Sequence, residues 1–132
     1  MTRYLFVFVF IFIFLIKPKA QTDTSFWFAA PNISATMGDQ PIQLHIQTYN
    51  QAATVFVSQP ANLAAGVNLT LNIAANSLNV SNLTPSITTV EAGATNTVSN
   101  KGIYISSNAN ISVYYTIGAG TNKEMVSLKG QR

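Results

Sequence analysis

Apolar residues recur at every second position through most of this chain, and a period of two is the signature of half-buried strands. Ile42, Leu44 and Ile46 alternate with Gln43, His45 and Gln47. Val55 and Val57 alternate with Thr54, Phe56 and Ser58, and Leu69, Leu71 and Ile73 with Asn68, Thr70 and Asn72. Leu78 and Val80 follow, then Ile103 and Ile105, then Ile111, Val113, Tyr115 and Ile117, and finally Val126 and Leu128. No window carries the three-four spacing of an amphipathic helix. Turn-forming residues separate the runs: Gly38 to Pro41, Gln59 to Asn62, Ala75-Asn76, Thr84-Pro85-Ser86, Gly93 and Gly118-Ala119-Gly120. Seven to nine short strands with turns about every ten residues predict an all-β chain, an antiparallel β-sandwich in preference to a barrel.

The last long pair of runs invites a register. A three-residue loop at Asn108-Ala109-Asn110 places Ile105 opposite Val113 and Ile103 opposite Tyr115, keeping the apolar set on one face. It also sets Tyr104 opposite Tyr114 on the other face. Asn tolerates the left-handed backbone that such loops need. The expectation is therefore a hairpin centred on residues 108–110.

The first residues obey a different rule. Arg3 leads into residues 4–16, thirteen positions without a charge, followed by Lys17, Pro18, Lys19 and Ala20. A basic start, an apolar run of about 7–15 residues and a small residue before a polar segment mark a secretory signal peptide. As a helix the run reaches only about 20 Å, short of a hydrocarbon core about 30 Å thick. We expect a signal peptide over 1–20, cleaved after Ala20, and one mature β-domain over 21–132. Pro18 is a poor minus-three residue, so the alternative is a short uncleaved anchor flanked by the two lysines; the membrane enters only through that segment. Either way the body works at the cell surface or outside the cell.

Removing the leader removes the basic character. The mature part keeps Lys101, Lys123, Lys129 and Arg132 against Asp23, Asp39, Glu91 and Glu124, so four minus four leaves no net charge. Nucleic-acid binding needs several backbone charges neutralised, and this supply excludes it as an expected partner. There is no cysteine, hence no disulfide, thiolate metal site or cysteine nucleophile. About 110 residues suffice for an unaided core. An exported domain without staples suits a bacterial surface better than an animal secretion.

Reactive groups are few. His45 is the only histidine, and its polar neighbours in the alternation predict a solvent-facing ring. No Gly-x-Ser-x-Gly elbow accompanies it. The four carboxylates show neither the spacing of a glycosidase pair nor that of a calcium loop. No catalytic, cofactor-binding or metal-ligating residue is expected, and no cofactor. What remains is a neutral surface: 13 Asn, 13 Thr, 11 Ser and 7 Gln in residues 21–132. Five Asn-x-Ser/Thr tripeptides, at Asn32, Asn68, Asn79, Asn82 and Asn110, are what such a composition yields by chance. Phe26-Trp27-Phe28 opens the domain, with Trp27 on the face opposite its neighbours. Outward tyrosines, Tyr49, Tyr104 and Tyr114, with Phe56 beside them, are the expected contacts for an extracellular protein or a glycan, because tyrosine combines an apolar body with a hydroxyl.

Residues 25–33, with Ser25, Phe26, Trp27 and Phe28 ahead of Pro31, Asn32 and Ile33, lead into Gly38, Asp39, Gln40, Pro41 and Ile42 and then an alternating strand. This opening resembles the IgGFc-binding protein N-terminal domain family, found near the start of large bacterial cell-surface proteins. Residues 101–115 and the terminal Val126 to Gly130 are similar to further landmarks of that family. Met37 departs from it, standing where relatives often carry a histidine. The resemblance implies a non-enzymatic binding or scaffolding module of an adhesin-like protein. It also implies that more β-structure follows, so that strands near Leu128 lack partners and pack poorly.

Overall fold

The computed structural model describes residues 21–93 and 96–131. The expected signal peptide lies outside the described residues. Seven strands follow the alternation: β1 (Asp23–Phe28), β2 (Ile42–Thr48), β3 (Ala53–Ser58), β4 (Asn68–Ile73), β5 (Leu78–Asn82), β6 (Ile103–Ile117) and β7 (Glu124–Ser127). One four-residue helical turn, α1 (Ile87–Val90), and four three-residue 3-10 turns complete the described elements. All strand pairings are antiparallel, and the strands form one seven-stranded sheet.

β6 organises that sheet. Ile111 pairs with Thr48 of β2 on one edge and Asp23 of β1 on the other, while Tyr104 pairs with Ser58 of β3 and with Trp27 of β1. Hence β2 and β3 succeed each other along one edge of β6. β1 and β7 share the opposite edge. β5 lies outside β2 and β4 outside β3. The sheet they form is nearly closed. Its concave face holds Phe26, Ile42, Leu44, Ile46, Val55, Val57, Ile103, Ile105, Ile111, Val113 and Tyr115 in one buried cluster. The all-β prediction holds. The strands of the expected sandwich belong to one nearly closed sheet.

The predicted hairpin at residues 108–110 does not exist. β6 runs unbroken through fifteen residues, and Ala109 points inward, buried, in phase with Ile105 and Val113. Asn108 is held in the strand, its side-chain oxygen accepting the Thr54 amide at 2.9 Å. Tyr104 and Tyr114 do share the outer face, but they lie ten residues apart on the same strand and are not opposite each other. At about 3.3 Å per residue that is roughly 30 Å of strand.

Two further expectations change. Leu78 and Val80, grouped above with the inward set, pair with Gln47 and His45 and point outward, each about half exposed. The cause is phase: β4 buries odd positions, and the connection through Ala74 to Ser77 keeps that phase, so Asn79 and Ser81 face inward in β5. By contrast, residues 49–52 slip the chain by one, and the buried set moves from even positions in β2 to odd ones in β3. Near the C-terminus, Leu128 is 4% exposed, against the expectation of poor packing, whereas Val126 is 45% exposed. Leu128 is drawn in because its amide donates to Val113 O at 2.9 Å and the chain beyond it runs beside β1, with Gly130 bridging Phe26.

Candidate functional site

The outer face of the sheet carries the candidate residues in two groups, one where β1 and β3 flank β6 and one where β2 flanks it. On the half formed by β1, β6 and β3, strand alternation turns Trp27 outward while Phe26 is fully buried. Pairing sets Trp27 across from Tyr104, and their ring centroids lie 4.7 Å apart at 33°. Phe56 pairs with Ser106, one same-face step along β6, and so stands diagonal to Tyr104. Trp27 and Phe56 are 48% and 51% exposed. Cross-strand neighbours on this face are Ser25, Ser58, Ser106 and Thr70, all neutral hydroxyls. Lys101, close by in sequence, donates from Nζ to the Thr88 carbonyl at 2.8 Å.

On the other half, His45 of β2 lies across from Tyr114 of β6, the rings stacked at 4.8 Å and 13°. The outward placement of His45 agrees with its alternation, but the ring is half covered, and its Nε2 lies 3.0 Å from Thr116 Oγ1. Burial, and then the Lys123 ammonium, lower its pKa from 6.5, so the ring is neutral at pH 7. Tyr49 shares this face through a hydrogen bond between its hydroxyl and Ser112 Oγ. Val80 and Leu78 border the group on β5. Of the expected trio, Tyr49 and Tyr114 come together, and Tyr104 sits apart with Trp27.

Chemistry-bearing groups are scattered. Asp23 is buried at the start of β1, and Glu124 is exposed on β7. Glu91 follows α1 and is nearly buried. Desolvation, reinforced by Asp39, pushes its carboxyl pKa up, while the Ile33 backbone amide and Lys101 pull it down. The Tyr115 hydroxyl is pushed up by burial and then by Glu91. Glu91 Oε1 and Tyr115 Oη have no hydrogen-bond partner among the described residues. Among the described residues no group of three His, Asp or Glu could hold a metal. A cleft of about 550 Å³, lined in part by Ile33, Met37, Ile117, Lys123 and Glu124, contains none of the expected site residues.

Sequence reasoning set Trp27 aside from the ligand-contacting residues. Its alternation with two phenylalanines already turned it outward, but its pairing with Tyr104 depends on a contact 77 positions apart (104 − 27) that no local pattern encodes. Comparison with known protein families, curated proteins and solved structures finds no match. The class defined by fold and surface is thus an all-β chain built on one nearly closed antiparallel sheet with aromatic groups on its convex face.

Proposed function

We propose that this chain is an exported, non-enzymatic binding or scaffolding module of a bacterial surface or adhesin-like protein. The observation that carries this is the outer face: two aromatic groups, Trp27-Tyr104-Phe56 and His45-Tyr114-Tyr49, stand partly exposed on it. Aromatic side chains with polar tips are the residues that anchor interfaces. The leader pattern, the absence of cysteine and the neutral mature charge support export and action by contact.

The test has two arms. Intact cells expressing the full chain are treated with protease, and beads coated with the purified chain are challenged with surfaces carrying polysaccharide or extracellular-matrix protein. The expected results are digestion without lysis and adhesion that falls when Trp27 and Tyr114 are both changed to Ala. A chain protected inside the cell, or turnover of a substrate by the pure protein, rejects the proposal. The second reading, a carbohydrate-binding module, is favoured by one feature: the Trp27–Tyr104 pair.

A further inference from the structure

We infer that the Trp27-Tyr104-Phe56 face binds a neutral polysaccharide, with sugar rings lying on the aromatic faces. This rests on the binding proposal and names its ligand and its half of the sheet. Three adjacent strands, β1, β6 and β3, each contribute one ring, so the platform spans about 10 Å at the usual strand spacing of ~4.8 Å. A pyranose ring offers an apolar C–H face and an edge of hydroxyls, and two linked rings cover such a span.

Chemistry selects among occupants. The immediate neighbours on this face are Ser25, Ser58, Ser106 and Thr70, short groups that donate and accept hydrogen bonds without charge. Lys101 is turned to the Thr88 carbonyl. A neutral polyhydroxyl chain finds stacking at the centre and hydrogen bonding at the rim, with no charge to desolvate. Lys129, exposed and one residue from the Gly130 that bridges Phe26, is the described cation at this edge, so heparin is the control that separates charge attraction from stacking. The second group is different: its rings are stacked on each other, His45 over Tyr114, and its border is the aliphatic pair Leu78 and Val80.

Trp27 is the only tryptophan in the chain, so its emission reports this face alone. Purified full-length protein is titrated with soluble β-glucan, α-mannan and galactan, and with heparin as the anionic control. At least one neutral polymer is expected to shift the emission while heparin does not. In gels containing that polymer, Trp27→Ala and Tyr104→Ala should each migrate as if binding were about tenfold or more weaker. Trp27→Phe should retain part of the retardation, and Met125→Ala, on exposed β7 outside both aromatic groups, all of it. Far-UV circular dichroism confirms that each variant is folded.

The inference is overturned if no neutral polymer shifts the emission, if retardation survives Trp27→Ala, or if heparin binds as well. Adhesion to a matrix protein lost with Trp27→Ala also overturns it, since the face would then be a protein interface. Adhesion that depends on Tyr114 and not on Trp27 rejects this ligand while leaving the broader proposal standing; failure of both arms above rejects that proposal itself.

Discussion

Gln59 joins three segments with one buried amide. Its Nε2 donates to Thr89 O at 2.8 Å and Lys101 O at 2.9 Å, and its Oε1 accepts the Val67 amide at 2.9 Å. Replacing it by Leu leaves the buried Val67 amide and two part-buried carbonyls unpaired, the buried one costing about 1–3 kcal/mol. Gln59→Leu is expected to lower stability by about 3 kcal/mol or more, read from the urea midpoint. Gln59→Glu should be comparably damaging, because a carboxylate would face two carbonyl oxygens. Glu91 sets a pH dependence of definite sign. Its folded pKa lies above the reference 4.5, so its contribution to stability is complete below that value and is lost as pH rises through the folded pKa. Glu91→Gln should therefore match the parent in acid and exceed it at pH 7; a lower midpoint at pH 7 would contradict the desolvation argument. None of this was legible beforehand. Gln59 reads as turn punctuation ahead of Pro60, and nothing near Glu91 announces burial, since both environments are made by segments distant in sequence.

At the scale of elements, alternation predicted nearly every strand but not every phase. Leu78 and Val80 looked inward because the rule assigns apolar residues to the core, and the chain's parity overruled it. That parity is held at the end of β2, where Thr48 Oγ1 accepts the Ser77 amide at 3.0 Å and lies within hydrogen-bonding reach of Ala74 O and Ser77 O. Thr48→Val keeps the shape and removes those bonds. It should cost about 1–3 kcal/mol and speed hydrogen exchange at the Ser77 amide. The missed hairpin has a related origin. Asn108-Ala109-Asn110 has turn propensity, yet pairing on both edges of β6 at Ser106 and at Ile111, with the bond from Thr54 to Asn108 between them, keeps it extended. Among the described residues β5 has no outer neighbour, and its two aliphatic side chains face solvent. An unpaired apolar edge invites association. Leu78→Lys with Val80→Lys is expected to reduce self-association at high concentration, followed by sedimentation, with little change in unfolding midpoint.

For the molecule as a whole, the all-β class was readable because it depends only on period and punctuation. The single folded sheet was not, since closure is decided by which strands share β6. One core cluster draws on both halves, so unfolding should be a single transition: Trp27 emission on one half and far-UV circular dichroism over both should give superimposable urea curves. Separate transitions would mean that the halves are independent. β6 arrives late in the chain. β1, β2 and β3 all pair with it, and Phe28 waits 75 positions (103 − 28) for Ile103. Only the ribbon of β2 to β5 can assemble before then. A chain delivered from its N-terminus thus stays slack and threadable until the keystone emerges, and any stop before residue 103 yields an arch that cannot lock.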